Sequence, residues 1–223
     1  LINKIDIQLA IDAGANIGQW AELTRKLGFK GKIHSFEPDS RAYSTLLRKQ
    51  KLYSKDWFIY NFALGEINSN CAFNAWEVEG GSSSLLKLTK EGESFTFHKN
   101  SEISVVDVDI KRLDSIFDAE TIKSIPALLK IDVQGYEKPL LDGCGEILSL
   151  FQLIEIEIPI LDLYEGATLL PELLIYLREK GFILSTIQTD RFSNFGAADV
   201  DALFIRKDVF EQLAQERAQQ ATN

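Results

Sequence analysis

The chain has 223 residues, 45% hydrophobic and 26% charged, with 33 acids against 24 bases and a net charge of -9. That balance excludes a disordered chain, a collagen and a low-complexity linker, and it fits a globular unit of ordinary size. An acidic chain with no basic run gains no affinity from a phosphate backbone, so nucleic acid is not expected as a partner. From the N-terminus, Ile5 to Ile11 reads as a strand ending at Asp12. After a glycine-containing turn, Trp20, Leu23, Leu27 and Phe29 keep helical spacing, with Gly28 as the stop. Lys32 to Phe36 is expected as a second strand, Asp39 as the N-cap of a helix reaching Gln50, and Trp57 to Phe62 as a third strand. The stretch from about Leu64 to Asp109 breaks this rhythm. Glycine and serine cluster from Gly80 to Ser84 between two short β-like pieces, Cys71 to Trp76 and Ile103 to Val108, which predicts a hairpin-like insertion with a mobile loop. Alternation resumes with a strand at Ala127 to Ile131, a helix near Glu137 to Leu148, a strand at Leu153 to Ile158, and a helix from Leu169 to Lys180 closed by Gly181. Phe182 to Ile187 and Ala202 to Ile205 read as two last strands, and Asp208 to Gln220 as a terminal helix. Such alternation implies one α/β domain over residues 1–223, a mostly parallel sheet with helices on both faces.

The two cysteines, Cys71 and Cys144, form neither a disulfide framework nor a zinc site, so free thiols in a cytoplasmic protein are expected. The longest apolar stretches, such as Ile154 to Leu163, carry charges and fall short of a membrane span. The chain opens on Leu1 and contains no methionine, so its natural start is expected to be missing and the lack of a visible signal peptide carries little weight. Nothing in the sequence sets the oligomeric state.

In a sheet of this kind, ligands bind at the carboxyl ends of the strands near the switch point of strand order. The first strand runs into D-A-G-A-N-I-G, Asp12 to Gly18, where Gly14 and Gly18 let the backbone pass close to a ligand and turn into a helix whose N–H groups suit an anion. The spacing is neither that of a dinucleotide fingerprint nor that of a P-loop. The second strand ends in F-E-P, Phe36 to Pro38, which puts Glu37 where an acid grips both ribose hydroxyls of a nucleoside. The third ends in N-F-A-L-G, Asn61 to Gly65. Its backbone or amide groups meet an adenine edge on one reading, and Asn61 is an ordinary turn residue on the other.

Together with S-S-S-L-L (Ser82 to Leu86), L-K-I-D-V-Q-G-Y-E (Leu129 to Glu137) and L-Y-E-G (Leu163 to Gly166), these motifs resemble the FkbM family of S-adenosylmethionine-dependent methyltransferases. The resemblance runs from about Leu9 to Arg206. It implies a Rossmann-like fold with a seven-stranded sheet whose last strand is antiparallel, and O-methylation of a sugar or secondary metabolite. By position, Asp12, Gly14, Asn16 and Gly18 would hold the methionine part of S-adenosyl-L-methionine, Glu37 its ribose, and Asn61 to Ala63 its adenine. The family often carries D-V-E-G where this chain has Asp132-Val133-Gln134-Gly135, so a role needing charge at Gln134 does not transfer. Family members also commonly carry residues ahead of the first strand that this sequence lacks.

Methylating an alcohol requires a proton acceptor beside the methyl donor, or a metal that acidifies the hydroxyl. Asp132 ends the fourth strand, next to the first, and is the first candidate, with Lys130 two residues earlier on the same face; helix capping is the competing reading for Asp132. Glu155 and Glu157 alternate with isoleucines in the fifth strand, and Glu157 is the nearer to the site. Asp132 and Glu157 together have the chemistry to hold a divalent ion, although no histidine cluster has metal-ligand spacing. His34 is expected to be packed in its strand. Ser83, Ser84 and His98 are the candidate substrate contacts, Ser83 and Ser84 belonging to a glycine–serine run that either closes over a substrate or is merely solvated. The expected function is therefore an O-methyltransferase for a small molecule or glycan. The alternatives are an N- or protein methyltransferase, against which the missing N/D-P-P-Y/F motif argues, and a non-catalytic nucleoside-binding protein.

Overall fold

The computed structural model describes residues 2–53, 55–76, 83–95, 103–189, 192–193 and 196–221. In chain order the elements are α1 (Ile2–Ile5), β1 (Leu9–Ala13), α2 (Gln19–Lys26), β2 (Lys32–Phe36), α3 (Ser40–Tyr53), β3 (Trp57–Tyr60), β4 (Ala63–Leu64), β5 (Ser69–Trp76), α4 (Lys90–Phe95) and β6 (Ile103–Lys111). They continue as α5 (Ala119–Lys123), β7 (Ala127–Ile131), α6 (Glu137–Gly143), β8 (Leu153–Pro159), α7 (Leu170–Glu179), β9 (Phe182–Gln188), β10 (Phe192–Ser193), β11 (Gly196–Ala197), β12 (Asp199–Arg206) and α8 (Lys207–Ala221).

Seven strands form one sheet in the order β3-β2-β1-β7-β8-β12-β9. Neighbours from β3 through β8 pair in parallel, and only β12, the last to be laid down, runs antiparallel to both of its neighbours. β1 and β7 are buried at every position, as strands covered on both faces must be. Alternate residues serve two cores. Ile11, Leu129 and Ile156 face the helices α6 and α7, where Leu140, Leu141, Leu173 and Leu177 meet them. Ala10, Leu128 and Leu153 face the other side, with Ala21 of α2, Leu46 of α3 and Trp57. The strand order reverses between β1 and β7, and the carboxyl ends of those two strands open the crevice where such sheets bind ligands.

The expected elements are present with shifted ends. The first strand begins at Leu9 rather than Ile5, because α1 occupies Ile2–Ile5 and Asp6 turns at φ 57, which extended chain does not allow. The third stops at Tyr60 because the Asn61 side-chain amide donates back to the carbonyls of Glu37 (2.9 Å) and Pro38 (3.0 Å) and turns the chain. The helix expected to Leu148 ends at Gly143 and gives way to a 3-10 helix over Gly145–Leu150, with Gly145 left-handed at φ 53. The middle of the chain is β-rich as expected: β5 and β6 pair antiparallel, and β4 lies beside β6 in a separate three-stranded sheet. Gly80 to Ser82 and His98 lie outside the described residues, so the expected mobile loop and the contact assigned to His98 do as well. No helix among the described residues is long and apolar enough to cross a membrane.

Candidate active site

A cleft of about 280 Å³ lies at the carboxyl ends of β1, β2 and β7 and is walled by Gly14, Asn16, Glu37, Ala63, Asp132 and Gln134 among others. That is just below the usual range for small-molecule sites, about 300–1,000 Å³.

The turn after β1 forms one wall. Gly14 sits at φ +76, and a Cβ built there would lie 1.8 Å from the carbonyl oxygen of Asp132, so only glycine lets this turn pack against the end of β7. Its N–H and that of Ala15 donate to the carbonyl of Phe36, which ties the turn to β2. Asn16 is left-handed at φ 49 and presents its N–H to Oε2 of Glu37 at 2.7 Å. The other oxygen of Glu37 accepts from the N–H of Asp39 at 2.8 Å. Burial outweighs these two bonds and pushes the Glu37 carboxyl up to about 7.

Beneath the turn, a polar row crosses the middle of the sheet on the α2 side. β-register places Ser35 beside Asp12, Asp12 beside Lys130, and Lys130 beside Glu155, on four adjacent strands. Trp57 donates to Ser35 Oγ (2.9 Å), Ser35 donates to Asp12 Oδ2 (2.8 Å), and the indole of Trp20 donates to Glu155 (2.9 Å). Lys130 is the cation of the row. Its Nζ lies 3.7 Å from Asp12 Oδ1 and 3.2 Å from Asp132 Oδ2. Burial opposes the charge on Lys130, but Asp132 and Asp12 together outweigh it and hold the ammonium above its usual range. Burial raises Asp12, whose Oδ1 has no hydrogen-bond partner, and it raises Glu155 as well. Buried polar groups persist only when paired, and this row pairs its members across strands that are distant in sequence.

The far wall carries Asp132 and Gln134. Asp132 follows the last residue of β7 and lines the cleft, and its Oδ1 accepts from the amide of Gln134 at 2.8 Å. That amide also donates to Glu157 Oε1 at 2.5 Å. Gln134 is left-handed at φ 53 and only 8% exposed. Tyr164 donates to its Oε1 (3.0 Å), and the Ser84 hydroxyl donates to its carbonyl (2.6 Å). Glu137, one turn on, is fully buried and pushed up to about 7 by that burial.

Of the residues singled out from sequence, Gly14, Asn16, Glu37, Ala63, Ser83 and Asp132 line the cleft. Asp12 and Lys130 lie below it in the polar row. Gly18, at φ +87, packs where a Cβ would meet Leu46 and Trp57. Asn61 braces the turn that presents Glu37. Glu157 reaches the site through Gln134. Ser84 is buried, paired in a bridge with Asn74, and fixed rather than solvated. His34 is packed as expected, stacked on Phe58 at 4.6 Å, and burial lowers its imidazole to about 4. Sequence reading missed the apolar wall that the insertion supplies, Phe73, Trp76 and Leu85, because nothing in its spacing says which face turns inward. It also undervalued Gln134, weighing its missing charge and not its amide. Among the described residues no group of three or more His, Cys, Asp or Glu side chains is arranged to hold a metal ion.

Comparison with known proteins agrees with this geometry. Over residues 12–184 the chain matches the methyltransferase FkbM domain. It is 28% identical over 150 residues to Methyltransferase 1 of Beauveria bassiana (strain ARSEF 2860), a match covering 63% of this chain and 60% of the relative's length. Among solved structures it is similar to magnesium protoporphyrin IX methyltransferase of Synechocystis PCC 6803, solved with bound S-adenosylmethionine, with 10% identity, TM-score 0.50, and coverage of 92% of this chain and 72% of that one. It is likewise similar to a Streptococcus pneumoniae protein described as a tRNA methyltransferase, with 9% identity, TM-score 0.51, and the same two coverages, 92% and 72%. At such identities the two structures speak for the fold alone. The extent of the domain match, on a seven-stranded sheet with its last strand reversed, places this chain in the FkbM methyltransferase family.

Proposed function

We propose that the chain is an S-adenosylmethionine-dependent O-methyltransferase acting on a hydroxyl of a small molecule or glycan. The observation that carries this reading is one cleft with the Gly14–Asn16 turn and Glu37 on one wall and Asp132 on the other. The residues fit the cofactor. Gly14 lines the cleft in a turn packed so tightly against the Asp132 carbonyl that no side chain can stand there, and Glu37 offers a carboxylate at the cleft wall. Gly14 and Asn16 would hold the amino-acid end and Glu37 the ribose hydroxyls, with Ala63 and Leu64 against the base. When bound, the cofactor supplies a methyl group activated on a sulfonium.

The remaining work falls to this chain's own side chains. A hydroxyl becomes strongly acidic as its oxygen is alkylated, so a carboxylate beside it must take the proton. Asp132 is that carboxylate. Lys130 and Gln134 each occupy one of its oxygens and fix its plane, and the remaining lone pairs stay free for the acceptor hydroxyl. Lys130 also reaches the carbonyl of Gly14 at 3.4 Å, so one ammonium ties the cofactor turn to the base. The apolar wall of Phe73, Trp76 and Leu85 excludes water from the reacting atoms and offers a face to the carbon skeleton of the acceptor. With a net charge of -9, the chain is poorly suited to a nucleic-acid acceptor, which favours a small molecule or glycan.

The test has two arms. Calorimetry is expected to show binding of S-adenosylhomocysteine and none of NAD. A methyl-labelled donor incubated with cell extract is expected to label a small molecule or glycan fraction. NAD binding without heat from S-adenosylhomocysteine refutes the cofactor, and label appearing in RNA or protein refutes the acceptor class.

A further inference from the structure

From the geometry around Gln134 we infer that this residue is the positioning residue of the acceptor side: its amide stands between Asp132 and Glu157 in the place a bridging cation would take. The inference rests on the reading of Asp132 as base. Two carboxylates converging on one point repel each other unless something positive or hydrogen-donating lies between them. Here the Nε2 of Gln134 donates to Asp132 at 2.8 Å and to Glu157 at 2.5 Å. The amide cannot be turned around without loss, because only its nitrogen can donate to two carboxylates and only its oxygen can accept from the Tyr164 hydroxyl.

The backbone is locked as well. Gln134 adopts φ 53, its carbonyl accepts from the buried Ser84 hydroxyl, and Gly135 beside it packs where a Cβ would meet Tyr164 at 2.9 Å. A non-glycine residue held left-handed, 8% exposed, with its side-chain amide and its backbone carbonyl both engaged is overdetermined by its surroundings. Three segments converge on it: the insertion through Ser84, the end of β7, and the loop after β8 through Tyr164. Among the described residues the charged groups around it include Lys130 on β7 and Asp132 just after it, Asp12 on β1, Glu137 on α6, Glu155 and Glu157 on β8, and Asp201 on β12, which is paired in register with Glu157. Lys130 already pairs with Asp132 through Oδ2, and the amide binds Oδ1 of Asp132 and Oε1 of Glu157. Methyl transfer therefore runs with Asp132 and Glu157 bridged by a neutral donor.

Replacing the donor by an acceptor inverts the site. In Gln134→Glu, three carboxylates converge and no amide separates them, which is the ligand set of a divalent cation. The probe is Mn2+ alone, followed by the electron paramagnetic resonance signal of the free ion, on protein loaded with S-adenosylhomocysteine. Wild type is expected to leave Mn2+ free at millimolar concentration, and Gln134→Glu to bind it at least about tenfold more tightly, since carboxylate count sets such affinities. Gln134→Ala, which removes the amide without adding charge, is expected to bind Mn2+ more tightly than wild type as well and to cut kcat about tenfold or more while cofactor affinity stays within about twofold. Should Gln134→Glu fail to fold, Gln134→Ala carries the test. Tight Mn2+ binding by wild type, or variants that melt as wild type does and bind no more Mn2+ than it does, overturns the inference. The Mn2+ measurement needs no acceptor and no turnover. Near-normal methylation by Asp132→Asn would sink the base assignment while leaving this result standing.

Discussion

Lys130→Met is the sharpest test of the polar row. The substitution keeps the length of the side chain and removes the only cation among the row's side chains, leaving Asp12 fully buried with Ser35 as its one hydrogen-bond donor, and leaving Glu155 with Trp20 alone. Breaking a buried ion pair by deleting one partner costs about 3–5 kcal/mol. For a chain of this size that is a fall in Tm of roughly 6–20 °C, at about 2–4 °C per kcal/mol. The loss must also depend on pH, with a definite sign. Burial already raises the Asp12 carboxyl above its usual value, and Lys130 is the strongest influence pulling it down. Without that ammonium the folded protein keeps a proton on Asp12 that the unfolded chain releases near pH 3.9. Between those two values the native state binds more protons, so stability falls as pH rises, by up to about 1.4 kcal/mol per unit for one proton. In wild type the Lys130 ammonium, raised above its ordinary range, stays charged throughout. Urea unfolding at pH 5 and pH 8 should therefore give a gap between variant and wild type that is clearly wider at pH 8. A variant within about 2 °C of wild type, or one whose deficit is the same at both pH values, would show that the row is not held by this cation.

Other outcomes follow from the same contacts. Glu37→Gln keeps an acceptor for one backbone N–H and loses the charge, so S-adenosylhomocysteine affinity by calorimetry should fall about ten- to a hundredfold, the worth of a hydrogen bond to a charged group; unchanged affinity would reduce Glu37 to a turn residue. Because burial raises the Glu37 carboxyl to about 7, its protonated form stabilises the empty protein below its unfolded value and that contribution is lost as pH rises through 7. The same rise strengthens the cofactor's grip, so the Tm increment given by S-adenosylhomocysteine should be larger at pH 8 than at pH 5.5, and a flat increment would contradict this. Asp132→Asn should lower turnover about 10²–10⁴-fold with cofactor binding intact. If Asp132→Asn turns over normally while Glu157→Gln is dead, the base lies on β8. Gly14→Ala forces a Cβ against the Asp132 carbonyl at a left-handed φ, so it should destabilise the protein and abolish cofactor binding together; a Tm equal to that of wild type would refute the packing argument.

What the sequence determined by itself is what local pattern and spacing encode. The unbroken apolar runs of β1 and β7 announce strands buried on both faces, and their alternation with amphipathic helices leaves few arrangements besides a doubly wound sheet. Gly14 and Glu37 were legible because each sits at a strand end, where the fold places ligands whatever the rest of the chain does. The meaning of the polar side chains was decided only by tertiary structure. In sequence Lys130 reads only as a neighbour of Asp132 on one strand face, and Glu155 as an acid alternating with isoleucines. Register across four strands makes them one row with Asp12 and Ser35, and no spacing along the chain records register between β1, β7 and β8. Gln134 reads as a lost charge in a motif, yet Tyr164 and Ser84, from two distant segments, turn its amide into the bridge between Asp132 and Glu157. The wall of Phe73, Trp76 and Leu85 depends on how a separate small sheet leans over the cleft, a packing decision that alternation within β5 alone does not contain. Hydrophobic periodicity is a local quantity, whereas the pairing of buried polar groups belongs to the assembled sheet.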